Sequence, residues 1–494
     1  MPGKNYQSEA RGSRKRASGA AVLLAATLAA GCASQAPDLA PANAETSWTV
    51  PPQSAPPQAK PEGPAVDADK RYELAELIDL AERTSPKTRI AWERARQAAF
   101  AVGIVESEYL PQLSAEAIGG FQRTPLPIPT KLIRQGYFTS DTREFVPSLA
   151  VKWLLFDFGR RDSSERAARA SSFVANVGFN AEHQRLIFSV SRDYFALVAA
   201  ADRLMAAERA LSTSQVDLDA VAAKRAHGLA TVVDLAQAQR QVARAQYNAT
   251  RAQGNRNKAL ATLIATVGLP PLTHLSVADT AAQVLPADTG GNLEHYMDIA
   301  LADRPDILAG MGKVRAAQAG LEQARAAYRP TIGLELKGYE NIGSLSTQGS
   351  SYYSVVKPGG ALFLNFDWLL YDGGLRKEQV NIAHSEVNAA EEALREAHDT
   401  AGKEVADAYI GLETGLAENK AAQTLTEAAR TSHESVLESY NHGLAAYNSL
   451  VDSENALVQA EADLSDSRSD VFSAAAALAF ATGHAGSPAA RPRP

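Results

Sequence analysis

The feature that most constrains this chain is an internal duplication. Residues 153–159 and 368–374, with the sequences WLLFDFG and WLLYDGG, are near copies of each other. Aligning Asp157 with Asp372 gives an offset of 215 residues, and the same offset relates two later Gly-Leu-Ala segments. Self-similarity over such a long period predicts one body built from two equivalent halves, rather than a series of unrelated domains.

The composition narrows the class of protein. Hydrophobic residues make up 45% of the 494 residues but aromatic residues only 7%, and alanine supplies much of the apolar share. This favours closely packed long helices over an enzyme with a bulky core. A net charge of −7 argues against a nucleic-acid partner, because chains that bind phosphates are usually basic. The single cysteine excludes an internal disulfide. The body has no run of about 18 apolar residues, so no transmembrane helix is expected.

The N-terminus has the features of an export signal. Basic residues precede an apolar stretch at residues 17–30, which is too short to span a bilayer. The stretch ends in Leu-Ala-Ala-Gly-Cys, which resembles the bacterial lipobox with Cys32 as the acylated residue. The alternative is a plain signal peptide in which this cysteine is incidental. We predict a signal peptide with a lipobox at residues 1–31, lipidation of Cys32, and a Pro- and Ala-rich tether at residues 32–69.

Each half of the body carries two segments with the alternation of a β-strand. One face of each segment is apolar and the other carries polar groups such as Glu116 and Lys152, as in a membrane barrel with lipid outside and water inside. Pro-rich residues 125–129 and Gly- and Ser-rich residues 341–360 are predicted to be loops. The predicted segments, in chain order, are a first repeat at 70–268 with strands at about 112–122 and 144–156, a connector at 269–291, a second repeat at 292–484 with strands at about 331–339 and 361–370, and a disordered tail at 485–494.

A very long helix follows each pair of strands. From Gly159 to Ala226 no proline interrupts the chain, which predicts a helix of about 100 Å. Hydrophobic residues at every seventh position predict that it packs as a coiled coil. The return helix, from about 231 to 267, is only about half as long. Further half-length helices must therefore stack on the end of each return helix, and those predicted at 87–109 and 292–328 have the right length.

Four strands cannot close a barrel by themselves. An open sheet edge in lipid leaves backbone groups without hydrogen bonds, at several kcal/mol each. Strands of this kind must therefore be pooled among identical chains.

The signal with its lipobox, the duplicated helix–strand–strand–helix pattern and the two His-Gly-Leu turns together resemble the TolC family of outer membrane efflux proteins, in its lipoprotein branch. The resemblance covers residues from about 70 to 484. It implies a mainly α fold with membrane β structure: a homotrimer whose twelve-stranded β-barrel, in the outer membrane of a Gram-negative bacterium, continues into a long α-helical barrel in the periplasm. The implied partners are outer membrane lipid, a periplasmic adaptor (membrane fusion) protein and a proton-driven inner-membrane pump.

The resemblance also assigns roles to residues at the periplasmic tip. The residues matching the family's adaptor-docking turns are His227, Gly228, Leu229, His442, Gly443 and Leu444. Those matching the closed periplasmic gate are Asp234, Tyr440 and Asp452. Ala445 and Ser449 depart from the polar or acidic groups that relatives carry, so a gate here has fewer bonds. Asp234 and Asp452 are equally well explained as acids near helix N-termini, where the helix dipole favours them.

The favoured function is a passive exit duct for small toxic compounds. No nucleotide-binding loop, nucleophile motif or metalloprotease motif occurs, so we expect neither enzymatic activity nor a cofactor. His227 and His442 are interpreted as polar turn residues rather than metal ligands. One alternative with the same fold is the outer membrane duct of a type I protein secretion system. Another is a soluble periplasmic coiled-coil scaffold, which would leave the four alternating strands unexplained.

Overall fold

The computed structural model describes residues 66–67, 69–132, 134–278 and 283–485. The predicted signal peptide at 1–31, the lipidation site at Cys32, nearly all of the tether at 32–69 and all but the first residue of the tail at 485–494 lie outside the described residues. The described residues form six strands and eight helices. In chain order these are β1 (Arg71–Tyr72), α1 (Leu74–Thr84), α2 (Pro86–Ser107), β2 (Gln112–Pro127), β3 (Tyr137–Phe156), α3 (Arg160–Ala226), α4 (Val232–Val267), β4 (Ser276–Val277), α5 (Leu293–Asp303), α6 (Pro305–Ala326), β5 (Thr331–Thr347), β6 (Tyr353–Asp367), α7 (Leu375–Asn441) and α8 (Tyr447–Ala481).

The four long strands form one antiparallel sheet in the order β2-β3-β5-β6. Its register aligns the apolar positions of all four strands in rows across one face. One such row consists of Leu113, Val151, Leu336 and Leu362. Polar groups lie on the opposite face, where Lys152 pairs with Glu335 across β3 and β5. The sheet therefore has one apolar and one polar face, as the alternation predicts.

The strands extend beyond their predicted bounds, and both predicted loops are wrong in part. Pro125 pairs with Thr139, and residues 341–347 and 353–360 lie within strands. Proline is tolerated in β2 because this is an edge strand of the sheet, where a missing N–H need not remove a ladder hydrogen bond. The predicted strand at 361–370 instead ends at Asp367, which pairs with Thr331, the first residue of β5. Pro330, directly before β5, cannot donate to a further ladder bond.

Two shorter helices placed end to end cover each long helix. α3 packs against both α2 and α4, and α7 packs against both α6 and α8. Where α4 ends, the carbonyl of Val267 accepts a hydrogen bond from the hydroxyl of Thr84 at the end of α1. Where α8 ends, Nη1 of Arg304 donates to the carbonyl oxygen of Ala481 at 3.0 Å. The predicted arrangement of long helices beside end-to-end stacks is therefore confirmed.

The two halves share their largest core. Tyr194 and Leu197 of α3 pack with Leu263 of α4, and Phe195 stacks on Phe472 of α8 with ring centroids 5.0 Å apart. None of the described helices combines the length and the apolar character needed to cross a membrane. The connector at 269–291, predicted to be irregular, contains β4, which pairs in parallel with β1. Two-residue strands of this kind carry no detectable alternation, so the sequence could not reveal them.

Candidate functional site

The candidate site is the end of the molecule farthest along the helices from the sheet, where two helical hairpins turn. In the first hairpin, α3 ends with His227 as its C-cap, and Gly228 follows with a φ of +74°. The N–H of Leu229 donates to the carbonyl oxygen of Lys224 at 2.8 Å, which closes the helix end. Glycine is required here because a side chain is strained at positive φ. The side chain of Leu229 is 78% exposed at the apex.

The second hairpin repeats this turn. His442 is the C-cap of α7, and Gly443 has a φ of +71°. The N–H of Leu444 donates to the carbonyl oxygen of Ser439 at 2.8 Å, and the Leu444 side chain is 83% exposed. Nε2 of His442 lies 2.8 Å from Oε1 of Glu438, one turn earlier on α7. The six residues predicted for docking thus form two equivalent turns, each with an exposed leucine.

α4, the helix after the first turn, has a side-chain cap at its start, and α8, the helix after the second turn, lacks one. Asp234 Oδ2 accepts hydrogen bonds from the N–H and the hydroxyl of Thr231, at 2.8 and 2.7 Å. The N–H of Asp234 donates back to the Thr231 hydroxyl at 3.1 Å, which completes a capping box. These bonds, the backbone one first, lower the pKa of the Asp234 carboxyl. In the second repeat, Ala446 occupies the N-cap position and forms no side-chain cap.

The three predicted gate residues lie in different surroundings. The Asp234 carboxylate is held in its own helix cap, and Asp452 lies on the exposed face of α8. Tyr440 faces the other hairpin, where Lys224 Nζ lies 4.0 Å from its ring centroid. Within its own hairpin, its ring centroid lies 5.9 Å from that of Tyr447. Among the described residues, no hydrogen bond or ion pair joins any two of the three. Within one chain, only Tyr440 belongs to the contact between the hairpins.

That contact has a small core that sequence reasoning missed. It consists of Val221, Ala238, Tyr447, Leu450 and Val451, contributed by α3, α4 and α8. Positions 447, 450, 451 and 454 lie on one face of α8, and all four are buried. The residue at position 454 is a glutamate, although the helical spacing predicts an apolar residue there. This conflict was the signal in the sequence that could have pointed to the site.

The pKa values of two acidic side chains at this contact are raised. Burial, and secondly the charge of Asp217, raise the pKa of Glu454 to about 7. Burial also raises the pKa of Asp217, against the opposing effects of His433 and Lys224. Among the described residues, no group of three His, Cys, Asp or Glu side chains could hold a metal ion.

Comparison with known proteins identifies the family. Residues 77–269 and 296–484 match the family described as outer membrane efflux protein. The chain belongs to this family. It is 29% identical over 379 residues to protein CyaE of Bordetella pertussis, covering 75% of each chain. It is 26% identical over 367 residues to outer membrane protein OprJ of Pseudomonas aeruginosa, covering 72% of each chain. Its fold is similar to that of VceC from Vibrio cholerae, with a TM-score of 0.68 and 20% identity over 83% of this chain and 96% of that one.

These findings confirm the family resemblance and the predicted fold of long helices with an antiparallel sheet. The protein is an outer membrane efflux channel, and its family is one of channels rather than of enzymes.

Proposed function

We propose that three copies of this chain form the exit duct of a tripartite efflux system for small toxic compounds. A twelve-stranded barrel would cross the outer membrane and continue into a helical barrel in the periplasm. The tip would contact a periplasmic adaptor joined to a proton-driven inner-membrane pump, and the duct itself would be passive. The observation that carries this proposal is the four-stranded sheet, which has one apolar face and two open edges, β2 and β6.

Both edges of the sheet, and both ends of the row of helices beside it, are expected to contact a neighbouring copy. The helices beside the sheet follow the same order as its strands, α2-α3-α6-α7, so that α2 and α7 end the row as β2 and β6 end the sheet. The large apolar side chains of Phe100 and Ile104 on α2, and of Ile382 on α7, are exposed in the single chain. Covering them against further copies buries apolar surface while it pairs the strand edges. Three copies with four strands each supply the proposed barrel.

Two attachments would hold the protein in the outer membrane. Acylation of Cys32 would insert lipid chains, and the apolar face of the sheet would contact the bilayer. The lipid chains would hold the N-terminal end of the chain at the membrane that the barrel crosses.

The tip would be both the docking surface and the gate. Leu229 and Leu444 are exposed apolar side chains on two equivalent turns, beside His227 and His442, and this fits a surface covered by a partner. Asp234, Tyr440 and Asp452 would contribute to closure when three tips converge. Tyr440 would do so through its contact with Lys224.

Crosslinking in cells tests the docking proposal. A photoreactive amino acid is placed at position 229 or 444, since glycines 228 and 443 cannot carry a side chain without strain. We expect both positions to capture the same adaptor protein, identified by mass spectrometry. The matched control is Leu362, which is also exposed in the single chain, at 66%, but lies on the apolar face of the sheet. Capture of the adaptor from position 362 as strongly as from the tip would contradict docking at the tip.

Deleting the gene for this chain tests which class of cargo the duct carries. Loss of resistance to small toxic compounds would support the proposal. Intact resistance with loss of a secreted protein would favour a type I secretion duct.

A further inference from the structure

A buried carboxyl group lies between the two hairpins close to the tip. Glu454 is 5% exposed, and it lies two turns after Tyr447, which is 4% exposed, on the same face of α8. Among the described residues, neither Oε2 of Glu454 nor the Tyr447 hydroxyl has a hydrogen-bond partner. An ionised carboxylate without a partner is strongly disfavoured in such a place, whereas a neutral carboxyl group is tolerated far better.

The surrounding groups do not neutralise a charge on Glu454. From α3, Asp217 acts on it as a like charge. From the same helix, Lys224 lies over the ring of Tyr440 on α7. His433 of α7 contacts the hydroxyl of Ser453, with Nδ1 and Oγ 3.2 Å apart.

The remaining helix adds no counter-charge to the core. α4 contributes Leu235 and Ala238, and its acid, Asp234, is bound in its own cap. Among the described residues no ion pair involves Glu454, so the proton is the species that can remove its charge.

We propose that Glu454 is a proton-binding site that controls the contact between the two hairpins at the tip. When the carboxyl group is protonated, α8 stays packed against α3. When it ionises beside Asp217, α8 separates from α3 so that the carboxylate reaches water. The consequence for transport, a tip that opens more readily as the pH rises, rests on the proposed duct function. The proton site itself does not.

The direction of the effect follows from the two protonation equilibria. The pKa is raised to about 7 in the packed state, and it returns towards its ordinary value of 4.5 when α8 separates. The packed state therefore binds the proton more tightly. The stabilisation that this proton gives to the packed state is fully present below pH 4.5 and is lost as the pH rises through about 7. From pH 6 to pH 8 the opening equilibrium is expected to rise about tenfold.

Hydrogen exchange in the purified full-length protein tests the site directly. Amide exchange in residues 214–221 and 447–454 is measured at pH 6 and pH 8 and divided by the intrinsic rate, which removes the ordinary pH dependence of exchange. We expect protection in the wild type to fall about tenfold from pH 6 to pH 8. In Glu454→Gln, which keeps the shape but cannot ionise, protection should be equal at the two pH values. Asp217→Asn, which removes the like charge, should show a smaller fall than the wild type.

The matched control is Glu434→Gln, which neutralises an exposed acid on α7 and should keep the tenfold fall. Equal protection at both pH values in the wild type, or a fall that persists in Glu454→Gln, would overturn the proposal. Conductance in planar bilayers separates this proposal from the duct function. A channel that conducts equally at pH 6 and pH 8 would refute proton control and leave the duct standing. Absence of conductance at both pH values, with the exchange result as expected, would refute the duct and leave the proton site standing.

Discussion

Arg161 donates a hydrogen bond from Nε to Oδ2 of Asp157 at 2.9 Å, and both side chains are buried. Nη1 of the same arginine donates to the carbonyl oxygens of Glu108 and Leu154, at 3.0 and 2.8 Å. The pair thus joins the end of β3 to the start of α3 and to the segment that follows α2. Arg376 and Asp372 form the equivalent pair 215 residues later in the chain. The duplication therefore preserves the junction between sheet and helices.

The first prediction concerns this junction. Arg161→Met should lower the free energy of unfolding by about 3–5 kcal/mol, because it removes the guanidinium that pairs with a buried aspartate and donates to three carbonyl groups. Thermal denaturation of the purified protein in detergent measures the loss. The control is Arg160→Met, because the neighbouring Arg160 is exposed and should tolerate the change. Equal losses in the two variants would show that the pair has no special role.

The second prediction concerns docking. Leu229→Asp and Leu444→Asp should each reduce resistance to toxic compounds to the level of the deletion strain, because a charge replaces an exposed apolar contact. Assembly and unfolding temperature should be unchanged, since neither side chain packs in the fold. Leu272→Asp serves as the control, because this leucine is 92% exposed but lies in the connector between the repeats. Normal resistance in both tip variants would contradict docking through these leucines.

The third prediction concerns assembly. Ile104→Asp should prevent trimer formation, because it places a charge on the face of α2 that a second copy is proposed to cover. The isolated chain should be unaffected, since this side chain is exposed in it. Sedimentation in detergent distinguishes the two states. Val284→Asp, an exposed position in the connector, should still give trimers. A stable trimer formed by Ile104→Asp would place the subunit interface elsewhere.

The fourth prediction separates the capping role of Asp234 from its proposed role in the gate. Thr231→Ala should destabilise the start of α4 by about 1 kcal/mol, seen as faster hydrogen exchange of its first turn. Because the pKa of Asp234 is lowered, the cap should be intact above the ordinary value of 3.8 and should weaken as the pH falls below it. If the Asp234 charge closes the gate, Asp234→Asn should raise conductance whereas Thr231→Ala should not. If both variants conduct as the wild type does, Asp234 acts in the helix cap and has no role in the gate.

Much of the fold could be predicted because its signals are local and periodic. The alternation in β2 and β5 follows from a strand having two faces, and the glycines at 228 and 443 are explained by backbone conformation alone. Strand ends were predicted less well. Gly359 is typical of a loop by composition, yet it lies in β6, where a Cβ would overlap the ring of Tyr339 on the neighbouring strand. A constraint set by a side chain 20 residues earlier leaves no mark in a short window of sequence.

Residue order alone was enough to predict the duplicated plan, the long helices with their half-length partners, the two-faced strands and the turns at the tips. Each of these follows from the preferences of neighbouring residues and from repetition along the chain. The three-dimensional structure was needed to show that Glu454 is buried beside Asp217, and that Arg161 reaches the carbonyl groups of two other segments. Burial and partnership depend on which elements pack together, and these can be far apart in the chain: Glu454 and Asp217 are separated by 237 positions, and Arg161 and Glu108 by 53.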